Sequence, residues 1–141
     1  MSPMIWLWLS VGVGVAVTSL LVKRLNLKKV PDLGDSAFVN LYRQGFAGDA
    51  DAVIRERKFI AKVLGFPYQK LRPNQDFREL SKLAGFDTSY EVGMSDLEDE
   101  LIELTQRAGI NRPPEFPGTV GELISALVTA RKILAEKDRE R

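Results

Sequence analysis

Four carboxylates recur at helical spacing in the second half of the chain, at Asp96, Asp99, Glu100 and Glu103. Positions i, i+3, i+4 and i+7 share one side of a helix, so these residues are expected to form an acidic stripe. They do not form a calcium loop, because the D-x-D-x-D-G spacing of its oxygen ligands is absent. From the residue types alone, the stripe is a solvated helix side whose acids favour the N-terminal half of the helix through its dipole.

The chain contains no histidine and no cysteine among its 141 residues. This composition excludes disulfides, thiolate nucleophiles, zinc sites built from Cys and His, haem ligation by His and a Ser-His-Asp triad. Acid–base chemistry would have to rely on carboxylates, Lys, Tyr or Ser, without the group that most often performs it. We therefore predict a protein that is not an enzyme, with no catalytic residue and no metal site.

The first 22 residues carry no charged side chain. Four basic residues follow directly, at Lys23, Arg24, Lys28 and Lys29. About 20 apolar residues are enough to cross the roughly 30 Å hydrocarbon core of a bilayer as a helix. Trp6 and Trp8 lie where an interfacial aromatic belt is expected. Residues 1–22 therefore predict a transmembrane anchor.

A cleavable signal peptide is the competing interpretation of this segment. Such a peptide begins with a basic region and ends at a small-residue cleavage site. Here no Lys or Arg precedes the apolar run, and the run ends in Leu20-Leu21-Val22. We therefore predict an uncleaved, single-pass anchor. The positive-inside rule places the four basic residues and the C-terminal domain in the cytoplasm, where the cations would attract anionic lipid headgroups.

Small residues recur every four positions within the anchor, at Ser10, Gly14 and Thr18. This small-xxx-small pattern lets two membrane helices approach closely. One interpretation is association of the anchor with itself or with a larger membrane complex. The other is the ordinary abundance of small residues in membrane helices, and the sequence leaves both open.

The 111 residues after position 30 are enough for one small domain. They carry 16 Lys and Arg against 19 Asp and Glu, a net charge of −3. Nucleic-acid-binding domains usually show a clustered basic face instead. We therefore predict no nucleic-acid partner.

Helix signals follow one another along this part of the chain, and no convincing strand pattern interrupts them. Pro31 and Gly34 make residues 25–34 a predicted non-helical connector, and a short helix capped by Ser36 completes region 23–48. Phe38, Leu41 and Tyr42 are expected on its buried face. The further predicted helices run from Asp49 or Asp51 to Leu64, from Phe77 to Gly85, from Ser95 to Ala108 and from Thr119 onward. Capping boxes, Ser95 with Glu98 and Thr119 with Glu122, begin the last two.

The fold class that we predict is all-α. It consists of a single transmembrane helix at residues 1–22, a basic connector with a short helix at 23–48, and a small bundle of four to five short helices at 49–136. The charged tail at residues 137–141 is expected to fray.

Residues 53–130 resemble the acyl carrier protein family in an ordered series of landmarks. The first is a helix that ends in Leu64-Gly65, similar to the LG that ends the family's first helix. The run LRPNQDFREL at residues 71–80 is similar to the family's I-x-P-x-x-x-F-x-x-L link, and TVGELI at residues 119–124 is similar to its T-V-G-D-L-I. The resemblance covers about 78 of the 141 residues and implies an acyl-carrier-like bundle.

The functional signature of that family is Asp-Ser-Leu at the start of its second helix, where phosphopantetheine esterifies the serine. The nearest match here, Ser95-Asp96-Leu97, has the first two residues reversed and places Asp96 at the attachment position. The other match, Asp87-Thr88-Ser89, places Thr88 there. The resemblance therefore makes Ser89 and Ser95 the candidate phosphopantetheine sites, whereas helix capping is the alternative role of both segments.

Carrier proteins present an acidic helix side to basic patches on partner enzymes, so the resemblance implies that the acidic stripe binds such a partner. Taken together, the sequence and the resemblance predict a membrane-anchored, acyl-carrier-like interaction module or accessory subunit of a membrane-associated complex, without phosphopantetheine. The resemblance also implies that this membrane is the inner (plasma) membrane. The alternative is a working membrane-tethered acyl carrier that delivers thioester-bound groups to lipid-modifying enzymes.

Overall fold

The computed structural model describes residues 2–85, 88–111 and 115–141, and within these ranges the chain is all-helical. Six α-helices lie in the described residues: α1 at Pro3–Lys28, α2 at Asp35–Arg43, α3 at Ala50–Leu64, α4 at Phe77–Ala84, α5 at Thr88–Arg107 and α6 at Val120–Arg139. A single 3-10 turn, Tyr68–Lys70, lies between α3 and α4. In the same ranges, β pairing is limited to one isolated bridge between Asp76 and Thr119. The predicted all-α fold class is confirmed.

Helix α1 is long and apolar enough to cross a membrane, and only 6% of its most apolar window is buried in the protein. The Ser2 hydroxyl accepts a hydrogen bond from the Met4 amide and so caps its N-terminus. The helix continues to Lys28, six residues beyond the predicted end of the anchor at Val22. The prediction of a non-helical connector was therefore wrong for residues 25–28. Pro31 disfavours helix only in the residue before it, so nothing stops the helix sooner.

The rest of the chain forms a bundle in which α3, α5 and α6 pack against one another and α2 packs on α3. Helix α3 begins as predicted, since the Asp49 carboxylate accepts from the Ala52 amide. It ends at Gly65, whose φ of 72° is the left-handed conformation that glycine adopts most readily. Asp76 caps α4 in the same way through the Glu79 amide, at 2.7 Å.

The predicted capping box at Thr119 and Glu122 begins α6. The Glu122 amide donates to the Thr119 hydroxyl at 3.2 Å, and the Glu122 carboxylate accepts from the Gly118 amide at 2.9 Å. The side chains predicted to be inside are largely buried, including Leu97, Leu101 and Leu104 of α5, Ala108 directly after it, and Val120, Leu123, Ile124 and Leu127 of α6. In α2, Phe38 and Tyr42 are buried as expected, but Val39 takes the third buried position and Leu41 is 38% exposed.

The predicted capping box at Ser95 and Glu98 was wrong, because α5 already begins at Thr88. Ser95 lies two turns inside the helix and cannot cap it. Tertiary contacts account for the additional turns: the Tyr90 ring packs edge-on against Phe66, and its hydroxyl donates to the Phe77 carbonyl at 2.8 Å. Burial of this ring raises the pKa of Tyr90 to about 12. Packing of the first turns therefore overrides the local capping signal.

Candidate functional site

The two candidate serines lie at different places on α5. Ser89 belongs to the first turn of the helix, and Ser95 lies six residues further along, about 9 Å by the helical rise. Both are exposed. The Ser89 hydroxyl lies 3.5 Å from the position that a β-carbon on Gly65 would occupy, at the end of α3. Asp87, the first residue of one candidate signature, lies outside the described residues, whereas Thr88 begins the helix.

The acidic stripe on α5 is divided by the structure. Asp96, Asp99 and Glu103 are exposed, as a docking face requires. Glu100 is only 35% exposed and turns toward α6, where its carboxylate lies 3.5 Å from the Arg131 guanidinium. We therefore correct the stripe to three solvent-facing carboxylates, since Glu100 is engaged within the bundle.

Arg131 joins Glu100 to a second, buried carboxylate on α3. The Glu56 carboxylate is 1% exposed and lies 2.6 Å from the Arg131 Nε atom. Burial raises the pKa of Glu56, and the opposing attraction of Arg131 and Arg55 offsets only part of this. Buried charges in proteins are retained when they are paired. This cluster connects α3, α5 and α6, and it is a structural element of the bundle.

The last turns of α1 contact the bundle directly. The Lys23 side chain is nearly buried, and its ammonium group donates to the Gly65 carbonyl at 2.9 Å and lies 5.0 Å from the centre of the Phe66 ring. A cation at a helix C-terminus is favoured by the dipole of that helix, here α3. Lys23 was predicted to attract lipid headgroups, but the structure directs it into the protein instead.

Three further residues of α1 extend this contact toward α4 and the core. The Asn26 amide group lies 3.4 Å from the carbonyl oxygens of both Lys82 and Leu83, in the last turn of α4. Leu27 belongs to the hydrophobic core. Val22 lies beside the end of α4, since a β-carbon on Gly85 would be 3.4 Å from the valine side chain. We call this contact of residues 22–27 with the C-terminal ends of α3 and α4 the junction.

The connector between α1 and α2, residues 29–34, is held along most of its length by the segment around the 3-10 turn. Lys70 donates to the Val30 carbonyl at 2.6 Å and forms a 2.8 Å ion pair with Asp32. Arg72 donates to the Pro31 carbonyl at 3.0 Å, and the Leu33 amide donates to the Gln69 carbonyl at 2.8 Å. A connector with these bonds is not a slack tether.

Arg57 of α3 completes the attachment of the connector from inside the bundle. Its guanidinium, which is fully buried, donates to the Leu33 carbonyl at 2.7 Å and the Leu71 carbonyl at 3.1 Å. It also pairs with Asp35 at 3.0 Å and lies 4.2 Å from the centre of the Phe38 ring. Burial lowers the pKa of Arg57, although Asp35 opposes this shift. One side chain therefore holds the connector, α2 and the loop before α4 together.

The small residues of α1 lie on a bare helix. The hydroxyl of Ser10 donates to the Leu7 carbonyl at 2.9 Å, and that of Thr18 donates to the Gly14 carbonyl at 2.7 Å. Apart from the backbone of α1 itself, no atom of the described residues would lie within 4 Å of a β-carbon on Gly14. Association of α1 with a membrane helix stays a prediction.

Sequence reasoning missed the charged residues that hold the junction and the core together. The spacing of Val53, Arg57, Ile60 and Leu64 follows a single helix face, and this signal could have identified Arg57 as buried. No comparable signal marks Lys23, because it follows the apolar run as any positive-inside lysine would.

The fold and the junction together define an all-helical bundle attached to one long, apolar N-terminal helix. Comparison with protein-family models, with curated proteins and with solved structures finds no match to this chain.

Proposed function

We propose that this protein is a membrane-anchored interaction module or accessory subunit, with α1 as a single-pass anchor in the inner (plasma) membrane and the bundle in the cytoplasm. The observation that carries the proposal is the contrast along α1. Its apolar side chains are largely exposed up to Leu21, and a bilayer would cover such a surface. From Val22 onward, one side of the same helix packs against the bundle through Lys23, Asn26 and Leu27.

The attachment of the bundle supports a structural rather than a delivery role. A carrier must move its cargo between enzymes, which is easiest on a slack tether. Here Lys23 and Asn26 bind the ends of two helices, and Arg57 and Lys70 bind the connector. The module would therefore present a fixed face to its partner, and Asp96, Asp99 and Glu103 are the exposed carboxylates available for a basic one.

Alkaline extraction of membranes from cells that express the full chain tests the anchor. A single-pass protein stays in the membrane pellet after carbonate treatment, whereas a protein released from the membrane contradicts the proposal.

A reporter that is active only outside the cytoplasm, fused after Arg141, tests the orientation predicted by the basic residues after the apolar run. Strong reporter activity would reverse it.

The second candidate function is a membrane-tethered acyl carrier, which one observation favours. Thr88 and Ser89 begin α5, and Ser89 is exposed there, at the kind of position where the resembling family bears phosphopantetheine. Against it, neither candidate signature is intact in the sequence. The capping of α5 by Ser95 no longer counts against it, because that helix begins earlier.

Incubation of the full chain in detergent with coenzyme A and a broad-specificity phosphopantetheinyl transferase separates the two candidates. We expect no gain in intact mass. A gain that is lost in Ser89→Ala and retained in Ser95→Ala would establish the carrier function at the start of α5, and the reverse pattern would place it at Ser95.

A further inference from the structure

The C-terminal ends of α3 and α4 meet α1 at the point where its apolar segment ends. Lys23 binds the carbonyl of Gly65, the residue that follows α3, and Asn26 reaches the last carbonyls of α4. Both contacts lie within four residues of Val22, the last residue of the uncharged run. With α1 in a bilayer, these two helix ends lie at the level of the lipid headgroups.

Each of the two helix ends carries an exposed lysine in its last turn, Lys62 in α3 and Lys82 in α4. Three exposed cations of α1 and the residue after it, Arg24, Lys28 and Lys29, belong to the same region of the chain. Lys23 is not one of this group, because the Gly65 carbonyl and the Phe66 ring engage its ammonium group. We call the five exposed cations the basic collar: Arg24, Lys28, Lys29, Lys62 and Lys82.

We infer that the basic collar is a binding surface for anionic lipid headgroups, so that the bundle itself contacts the membrane surface through α3 and α4. The inference rests on the proposed insertion of α1 and adds a second contact with the bilayer. Anionic lipids are the expected partner because of the charge and the position of the basic collar. Its cations adjoin the end of the apolar segment, and polybasic surfaces beside a membrane bind anionic lipids.

The net charge of the bundle does not explain an attraction to anionic lipids. Residues 31–141 carry a net charge of −3, so that an anionic surface would repel the domain if its charges were spread evenly. Collection of cations at the ends of α3 and α4 orients the domain instead. Its basic end faces the bilayer and its acidic stripe is left available to other partners.

The opposite end of α3 provides an internal control. The helix has 15 residues and is therefore about 22 Å long. Its N-terminal end lies beside Lys132 of α6, which lines the same groove as Asp49 and Ala52. This separation exceeds the Debye length of about 8 Å at physiological salt, so Lys132 should not sense the headgroups.

Lysine labelling of the full chain in lipid nanodiscs tests the inference, since both bilayer faces are accessible there. Discs of phosphatidylcholine are compared with discs that also contain phosphatidylglycerol, and an amine-reactive ester is followed residue by residue with mass spectrometry. We expect Lys62 and Lys82 to react about threefold or more slowly in the anionic discs. Lys132 should react equally in both, and salt at about 1 M should abolish the difference.

Equal reaction of Lys62 and Lys82 in the two kinds of disc would overturn the inference, and so would slowing that includes Lys132 to the same extent. Failure of the chain to enter discs at all would instead contradict the proposed anchor, so the two failures are distinguishable. A Lys62→Gln/Lys82→Gln variant adds a second measure. It should still enter discs, while Lys28 and Lys29 lose part of their protection relative to a Lys132→Gln control.

Discussion

The Lys23 ammonium group donates a 2.9 Å hydrogen bond to the Gly65 carbonyl oxygen, and this bond joins the apolar helix to the end of α3. Without it, the bundle would be attached to α1 mainly through Asn26, Leu27 and the connector. The two residues are 42 positions apart in the chain. The bond therefore stabilises tertiary structure.

We expect Lys23→Gln to lower the free energy of unfolding of the bundle by about 1–3 kcal/mol, because a hydrogen bond to a charged group is lost and the Gly65 carbonyl loses its partner. Urea unfolding of the full chain in detergent micelles measures it. The matched control is Lys28→Gln, an exposed lysine of the same helix, which should change stability by less than about 0.5 kcal/mol. Equal effects would mean that the Lys23 bond contributes nothing.

Arg57→Met should destabilise the protein by about 3 kcal/mol or more, because the partly buried Leu33 carbonyl, the buried Leu71 carbonyl and the Asp35 carboxylate lose a charged partner. Methionine fills much of the volume, so the loss reports hydrogen bonds rather than a cavity. Arg55→Met, whose side chain is 66% exposed, is the control and should stay within about 0.5 kcal/mol. A small change in stability in Arg57→Met would contradict the conclusion that Arg57 holds the connector in place.

Gly93→Ala should be strongly destabilising, by about 1–3 kcal/mol or more. A β-carbon at this position of α5 would lie 2.4 Å from the backbone oxygen of Val63, so that α3 and α5 would have to move apart. In most helix interiors the same change stabilises instead. Gly45→Ala serves as the comparison in thermal unfolding, because a β-carbon on Gly45 would meet no non-neighbouring atom of the described residues within 4 Å. A stabilised Gly93→Ala variant would show that the two helices do not approach closely.

Glu56 should make stability depend on pH. Its pKa in the folded protein is raised above the ordinary value of 4.5 by burial, against the attraction of Arg131 and Arg55 and with the help of Glu100. The folded state therefore binds more protons between the two values. The contribution of Glu56 is complete below pH 4.5 and is lost as the pH rises through the raised pKa.

Urea unfolding at a series of pH values, with Glu56→Gln as reference, isolates this contribution from the other carboxylates. The free energy of unfolding of the wild-type protein minus that of the variant should fall as the pH rises above 4.5. A difference that grows with pH would mean that the ion pair with Arg131 outweighs the cost of burial.

Leu101 and Glu103 test the orientation of α5 about its axis. Leu101 is 1% exposed, so Leu101→Ala should cost about 2–5 kcal/mol. Glu103 is 66% exposed, and its ion pair with Arg107 is long, at 4.0 Å. Glu103→Ala should therefore change stability by less than about 0.5 kcal/mol. Similar values for the two variants in urea unfolding would contradict the helix orientation.

Local signals in the sequence predict much of the fold, and they fail where distant residues decide. The helix caps at Asp49, Thr119 and Gly65 depend on contacts within one helical turn. Neighbouring residues in the sequence therefore predict them. Ser95 carries an equally good local signal, yet Tyr90 and Gly93 pack against α3 and the segment after it and extend α5 past it. The partner of Lys23 is 42 residues away, and no spacing rule along the chain connects the two. The apolar run and the cations after it could therefore be predicted from the sequence. Which of these cations turns into the protein could not.

The junction, which Lys23, Asn26 and Leu27 hold together, fixes the orientation of the bundle relative to α1. Membrane helices respond to a thicker or thinner bilayer by changing their tilt. With α1 in a bilayer as proposed, a bundle fixed at residues 22–27 would tilt together with the helix. The thickness of the surrounding bilayer would then set the angle at which the acidic stripe meets a partner.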